Sequence, residues 1–247
     1  MIQASAWGDI DAVILAGGLG TRLRPALPDR PKALAEVKGR PFLDLVMQYL
    51  LQAGLRRVVL ALGYGADAII AHIDTNPIRD LEVVPSVETS PLGTGGAIRH
   101  ALDQTQAGTL LVLNGDSFTP ADLGSFRTFH TRAEATVSLI AVPTDDMSRY
   151  GQLEIEPDGR VRGFVEKSLS NTGHGYINAG IYLIGRSIVA DFPTGRPVSL
   201  ETEIFPGLIG QGLSAMVQDI PFIDIGTPET WDAADQFFAM IGDEDVQ

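Results

Sequence analysis

Asp11-Ala-Val-Ile-Leu-Ala-Gly-Gly-Leu-Gly-Thr-Arg-Leu-Arg24, followed by Arg30-Pro-Lys32, decides how this chain reads. A short apolar run that breaks into glycines and then into cations predicts a buried strand delivering bare backbone to a phosphate. Without a Cβ at Gly17, Gly18 and Gly20, an anion can approach the main chain from Leu15 and Ala16 through to Thr21.

The loop is neither of the two common phosphate loops. A Walker-type loop closes on Gly-Lys-Ser/Thr, whereas Gly20 leads into Thr21-Arg22-Leu23. A dinucleotide loop needs a further glycine three positions after Gly20, where Leu23 stands. Pro25, Pro28 and Pro31 keep the following residues out of a helix. From Gly17 to Arg40 six cations face two acids, in a chain whose net charge is −13. That local inversion marks a polyanion site, a nucleoside triphosphate above all. The plain alternative is a solvated surface loop, which rarely sits on a strand–glycine junction.

With 247 residues and 45% hydrophobic content, the chain can bury a full α/β core, most simply as one domain over 1–247. The absence of cysteine excludes disulfides, thiolate metal sites and a cysteine nucleophile, and fits a cytoplasmic protein. Met1 to Ile10 has neither a cationic start nor a long apolar run, and nowhere is there an apolar stretch long enough for a span. No membrane or nucleic-acid partner is therefore expected, the acidic balance arguing against the latter. Nothing excludes a homo-oligomer. Lysine occurs only at Lys32, Lys38 and Lys167, against fifteen arginines.

Apolar runs at Ala12–Ala16, Arg57–Leu62 and Thr109–Asn114 alternate with helical segments at Pro41–Gly54, Gly95–Gln104 and Ala121–Arg132. This alternation predicts a doubly wound, mostly parallel sheet with helices on both faces and ligands at the strands' carboxyl ends. Beyond about residue 135 the pattern turns to successive strands at Thr136–Val142, Gly151–Ile155, Val161–Val165 and Tyr176–Ile184, with a hairpin turn at Pro157–Arg160 and a last helix at Glu229–Met240. A nucleotide-binding half over about 8–135 and a second half over about 136–240 follow from that change.

Asp116 stands just past a buried strand and Asp224 lies between apolar residues, so each ionised carboxylate needs a cation. Mg2+, which takes one or two carboxylates plus phosphate oxygens, meets that need. A helix cap near Ala121 and a turn before Gly226 are the alternatives for the two aspartates. Glu166-Lys167 ends a strand, commonly a solvated edge, and Asn178 is an amide inside an apolar strand that needs partners. Pro91–Ala97 is a second glycine-rich turn, a base-reading wall or an ordinary helix entry, with Glu88, Gly93 and Thr94 as candidates to meet base or ribose. His72, His100, His130 and His174 share no metal-ligand spacing.

Gly17–Leu23 together with Pro31-Lys32 resembles the signature of the sugar-1-phosphate nucleotidyltransferases, Gly-Gly-x-Gly-Thr-Arg-Leu followed by Pro-Lys. Between them the chain departs from the family, with Pro25-Ala-Leu-Pro28 where a Pro-Leu-Thr segment is common. The resemblance runs from Asp11 to Trp231. Pro91–Ala97, Asn114–Phe118, Tyr176–Tyr182 and Ser199-Leu-Glu201 look most like the members that are D-glycero-α-D-manno-heptose 1-phosphate guanylyltransferases.

The resemblance implies a three-layer, Rossmann-like, glycosyltransferase-A-like fold and a reaction joining a nucleoside triphosphate to a sugar 1-phosphate, with pyrophosphate released. It implies Arg22 and Lys32 on the triphosphate, Mg2+ on Asp116 and Asp224, and Lys167 and Asn178 on the sugar phosphate. Glu166 would take a sugar hydroxyl, with Gly151 and Glu201 completing that pocket. GTP with the heptose or mannose 1-phosphate is the substrate pair implied; a uridylyl- or thymidylyltransferase acting on a hexose 1-phosphate is the alternative. A non-catalytic nucleotide-sugar sensor would be favoured by loss of Arg22, Lys32 or the aspartates, and all are present.

Overall fold

β1 (Ile10–Leu15), which leads into the glycine loop, is an inner strand of a nine-stranded mixed sheet. The structure, a computed structural model, describes residues 7–28, 30–146, 150, 152–165 and 172–242. After β1 come a small ribbon of β2 (Glu36–Val37) and β3 (Arg40–Pro41), α1 (Phe42–Gln52), β4 (Arg57–Leu62) and α2 (Ala66–Thr75). Then follow β5 (Glu82–Val87), α3 (Gly93–Ala101), β6 (Thr109–Asn114), β7 (Ser117–Phe118) and α4 (Leu123–Arg132). The second half holds β8 (Val137–Asp146), β9 (Gln152–Ile155), β10 (Val161–Val165), β11 (Thr172–Gly185) and α5 (Arg186–Ala190). A π-helical turn at Leu200–Ile204 leads into α6 (Phe205–Leu208), followed by β12 (Leu213–Val217), β13 (Ile223–Asp224) and α7 (Pro228–Met240).

The strand order β10-β9-β11-β6-β1-β4-β5 joins the two halves in one sheet, with β8 on β11 and β12 on β8. β5, β4, β1 and β6 run parallel, and β11 meets β6, β8 and β9 antiparallel. Alternation along β1 explains why its apolar run is unbroken. Ala12 and Ile14 enter the core shared with α1 and α7, whereas Val13 enters the opposite core with Ile98 of α3 and Val189 of α5. A strand covered on both faces has no solvent side to mark with polar residues.

α1 carries apolar residues around its buried face from Phe42 to Leu50, starts behind Pro41 and ends before Gly54, whose φ of +100° a side chain would strain. Asp122, not Asp116, caps α4, accepting from the Ser125 N–H. α3 begins at Gly93, two residues before the stretch its pattern predicts. β5 escaped the pattern reading because Pro85 interrupts it; as the edge strand it tolerates a residue that cannot donate. Among the described residues no helix is long and apolar enough to cross a membrane.

β7 is two residues long, too short to hold itself in place. Phe118 secures it, lying edge-to-face on Tyr49 of α1 at 5.3 Å and on Phe237 of α7 at 6.4 Å, and tilted on Phe238 at 4.9 Å. The Tyr49 hydroxyl donates to the Ala121 carbonyl at 2.7 Å, and burial pushes its pKa far up. Phe118→Ala should cost about 3–5 kcal/mol in denaturant unfolding, because the surrounding rings cannot collapse into the space left. A loss below about 1 kcal/mol would contradict this account of what anchors the strand.

Candidate active site

The carboxyl ends of β1, β4 and β6, with the residues after β5, open onto one cavity of about 520 Å3. Leu15, Ala16, Gly17, Gly18, Lys32, Glu88, Gly93, Thr94 and Asp116 all line it. Gly17 is there for close packing: a Cβ on it would stand 2.9 Å from the Gly63 nitrogen, and its carbonyl accepts the Tyr64 N–H at 3.2 Å. Gly18 meets nothing within 4 Å and leaves its backbone face open, whereas Gly20 takes a φ of +58°. Tyr64, which pattern reading missed, also lines the cavity. The Arg24 guanidinium lies over its ring at 4.7 Å and donates to its hydroxyl at 2.5 Å, fastening the glycine loop to the turn after β4.

Glu88 closes the far wall. Its Oε2 accepts the Leu92 N–H at 3.1 Å, and its Oε1 faces the backbone of Gly63 so closely that a Cβ there would stand 2.6 Å away. Desolvation raises its pKa above the ordinary carboxylate value, opposed by the Leu92 N–H and by nearby His100.

The second glycine-rich turn is a helix entry, the start of α3, and also lines the cavity. The N–H groups of Gly95 and Gly96 both donate to the Val198 carbonyl, at 2.9 and 3.3 Å, and a Cβ on Gly93 would meet that same oxygen at 2.5 Å. The glycines of this turn make room for the Pro197–Leu200 segment against the start of α3. Thr94 is committed likewise, accepting the Leu200 N–H at 2.8 Å and donating to Glu201 Oε2 at 2.9 Å. Glu201, which resemblance places with the sugar phosphate, thus stands bonded to the cavity wall.

The two aspartates come together through backbone pairing. β13 pairs antiparallel with β7, setting Asp224 opposite Ser117 and Ile223 opposite Phe118, and the Ile225 N–H donates to the Asp116 carbonyl at 2.9 Å. Asp116 Oδ2 meets the Lys32 ammonium at 2.7 Å; the lysine is 12% exposed and the aspartate 48%. Asp224 Oδ1 accepts the Gly226 N–H at 2.6 Å, so the turn expected as its alternative role is real and uses one oxygen only. A side chain at Gly226 would stand 3.3 Å from the exposed Arg22 guanidinium, which places Arg22 beside the same corner. Among the described residues no cluster of three or more histidine or carboxylate side chains could hold an ion. A hard cation would rest on Asp116 and Asp224 plus oxygens of a ligand, a donor set that fits Mg2+.

Asn178 is held inside the fold, its Nδ2 donating to the Tyr182 hydroxyl at 2.9 Å and its Oδ1 accepting the Gly180 N–H at 2.9 Å. Tyr182 is fully buried, and desolvation holds its hydroxyl well above its ordinary pKa. Thr21 is exposed on the loop. Gly151, Glu166 and Lys167 lie outside the described residues.

The nucleotidyl transferase family profile matches residues 11–239. The mannose-1-phosphate guanylyltransferase of Mycobacterium tuberculosis is 34% identical over 223 residues, covering 89% of this chain and 62% of that protein. The D-glycero-alpha-D-manno-heptose 1-phosphate guanylyltransferase of Campylobacter jejuni is 34% identical over 222 residues, 90% of this chain and 97% of that protein. The chain thus spans about 62% of the length of the mycobacterial relative and nearly all of the Campylobacter one. The crystal structure of HddC from Yersinia pseudotuberculosis complexed with GMP-PN superposes with a TM-score of 0.82 at 37% identity, over 92% of this chain and 99% of that one.

Glu88 offers a stability test independent of ligands. Because its folded pKa is raised, the carboxyl costs the fold stability as pH rises from the ordinary value of 4.5 through the folded one. Glu88→Gln keeps an acceptor for Leu92 and removes that cost. Denaturation at stepped pH should therefore show the variant gaining on the parent as pH rises from acid towards 7; a gap that widens towards acid would contradict the assignment.

Proposed function

The chain belongs to the nucleotidyl transferase family, and from that membership we propose that it transfers a guanylyl group from GTP to D-glycero-α-D-manno-heptose 1-phosphate or mannose 1-phosphate. The products are a GDP-sugar and pyrophosphate. The observation that carries this reading is the Lys32–Asp116 pair on the wall of a glycine-lined cavity, with the strand that carries Asp224 paired beside it. Relatives of about a third identity that act on just these sugar phosphates supply the substrate pair.

An oxygen of the sugar 1-phosphate attacks the α-phosphorus in line, the bond to the β-phosphate oxygen breaks, and pyrophosphate leaves with that electron pair. No covalent nucleophile is needed, so the protein's share is positioning and charge neutralisation. The open backbone at Gly18 and the loop from Leu15 to Thr21 cradle the nucleotide, and Glu88 offers Oε1 as an acceptor for the guanine edge. Gly93 and Thr94 close the ribose side by shape, the Thr94 hydroxyl being already committed. Lys32, held by Asp116, and Arg22, beside Gly226, meet the triphosphate and stabilise the charge that builds on departing pyrophosphate. Mg2+ bound by Asp116 and Asp224 would neutralise α-phosphate charge. Lys167, with Gly151, Glu166, Asn178 and Glu201, takes the sugar phosphate and sugar in this proposal. Residues of both halves act as one unit in the cytoplasm in this proposal, the unity supported by the pairing of β6 with β11.

Two experiments test the proposal. A matrix of GTP, ATP, UTP, CTP and dTTP against heptose, mannose, glucose and N-acetylhexosamine 1-phosphates, scored by pyrophosphate release, should show GTP with a manno-configured sugar leading. A pocket that pairs the guanine amino group leaves buried acceptors unpaired with other bases. Preference for UTP or dTTP would overturn the guanylyl assignment and leave the phosphate chemistry standing; no turnover with any pair would overturn both.

Steady-state kinetics with each substrate varied in turn separates the two halves of the site. Arg22→Ala should lower kcat by about two to four powers of ten, the range for losing one stabiliser of transition-state charge. Lys167→Ala should chiefly raise KM for the sugar phosphate. An effect of Lys167→Ala confined to the nucleotide would show that the halves are wrongly assigned.

A further inference from the structure

Asp224 is gripped from two sides. Its Oδ1 takes the Gly226 N–H at 2.6 Å and lies 3.5 Å from Thr230 Oγ1, the one just before α7 and the other in its first turn. Its Oδ2 takes the hydroxyl of Tyr150, which arrives from between β8 and β9, 74 positions away in the chain. The Tyr150 ring stands edge-to-face on Phe222, centroids 5.5 Å apart and planes at 87°. Both rings pack against the core that holds Phe118, so the place of the hydroxyl is inherited from ring packing.

The two aspartates are thus held by different means. Asp116 meets Lys32, a cation on a flexible stem that a phosphate can draw away; the partners of Asp224 include a phenol on a rigid, packed ring. A carboxylate oxygen has two lone pairs, so Oδ2 can keep the phenol proton and still offer a lone pair to a metal. A hydrogen-bond donor fixed behind a ligating carboxylate orients it, as outer-shell partners do at metal sites generally.

We infer that Tyr150 is a positioning residue for Asp224, holding Oδ2 in the orientation in which it binds a divalent cation. The inference rests on the two-carboxylate metal site proposed above. It also sets the metal site next in sequence to the proposed sugar pocket, since Tyr150 immediately precedes Gly151.

The test measures Mn2+ binding to the full chain by water-proton relaxation, with no nucleotide or sugar phosphate present and hence no turnover. Tyr150→Phe removes one hydroxyl and keeps the ring on Phe222, so its melting temperature should stay at the parent's while Mn2+ affinity falls about 10- to 100-fold. Phe222→Leu keeps the hydroxyl and loosens its support, and should weaken Mn2+ by a smaller factor. In turnover, Tyr150→Phe should raise the Mg2+ concentration needed for half-maximal rate, with KM for GTP measured at saturating Mg2+ unchanged. Asp224→Ala separates the two claims. If it binds Mn2+ as the parent does, the two-carboxylate site fails; if it loses Mn2+ while Tyr150→Phe binds within twofold of the parent or more tightly, the role of Tyr150 alone is overturned.

Discussion

The antiparallel pairing of β7 with β13 is the contact on which the site depends. Ser117 and Asp224 are 107 positions apart in the chain, and two short strands bring them into register. Two residue pairs cannot hold such a ribbon by hydrogen bonding, because an isolated ribbon is marginal even at greater length. Its persistence comes from what packs on it: Phe118 among three rings from α1 and α7, and the Thr119 hydroxyl donating to the Pro221 carbonyl at 2.7 Å. Core packing on one side of the sheet therefore sets the separation of two carboxylates on its rim.

Charge follows from that geometry. A chain of net charge −13 repels a triphosphate at long range, and two adjacent carboxylates sharpen the repulsion locally. In the proposed reading Lys32 and Arg22 reverse it at the phosphates, each from the loop that follows β1. The loop is in turn fixed from outside the cavity, by Gly17 against Gly63 and by Arg24 on Tyr64. The loop proposed to take the phosphates is thus part of a fixed frame, which is what positioning catalysis requires.

Much of this was legible in the sequence because it is local. β1, its glycines and its cations lie in one uninterrupted stretch, and burial on both faces writes itself as an unbroken apolar run. The pairing partners of Asp116 and Asp224 were not legible as such: two-residue strands carry no periodicity, and only the apolar setting of each carboxylate hinted that a cation was needed. The second glycine turn left two readings open for a physical reason. Glycine at Gly93, Gly95 and Gly96 reads the same whether a ligand or a chain segment approaches, and here Val198 is what approaches. Asn178 shows the converse, since an amide in an apolar strand needs partners and finds them in Tyr182 and Gly180. Tyr150 left no signal at all, its role being set by a contact with a residue 74 positions away.

The central claim is that Asp116 and Asp224 jointly bind one divalent cation at the mouth of the nucleotide cavity. Diffraction from crystals grown with Mn2+ and GTP, collected at the manganese edge, tests it most directly. The account predicts a single anomalous peak ligated by both carboxylates and a phosphate oxygen, with the Lys32 ammonium moved from Asp116 to the triphosphate. A peak touching neither aspartate, or Lys32 still paired with Asp116 beside bound nucleotide, would contradict it.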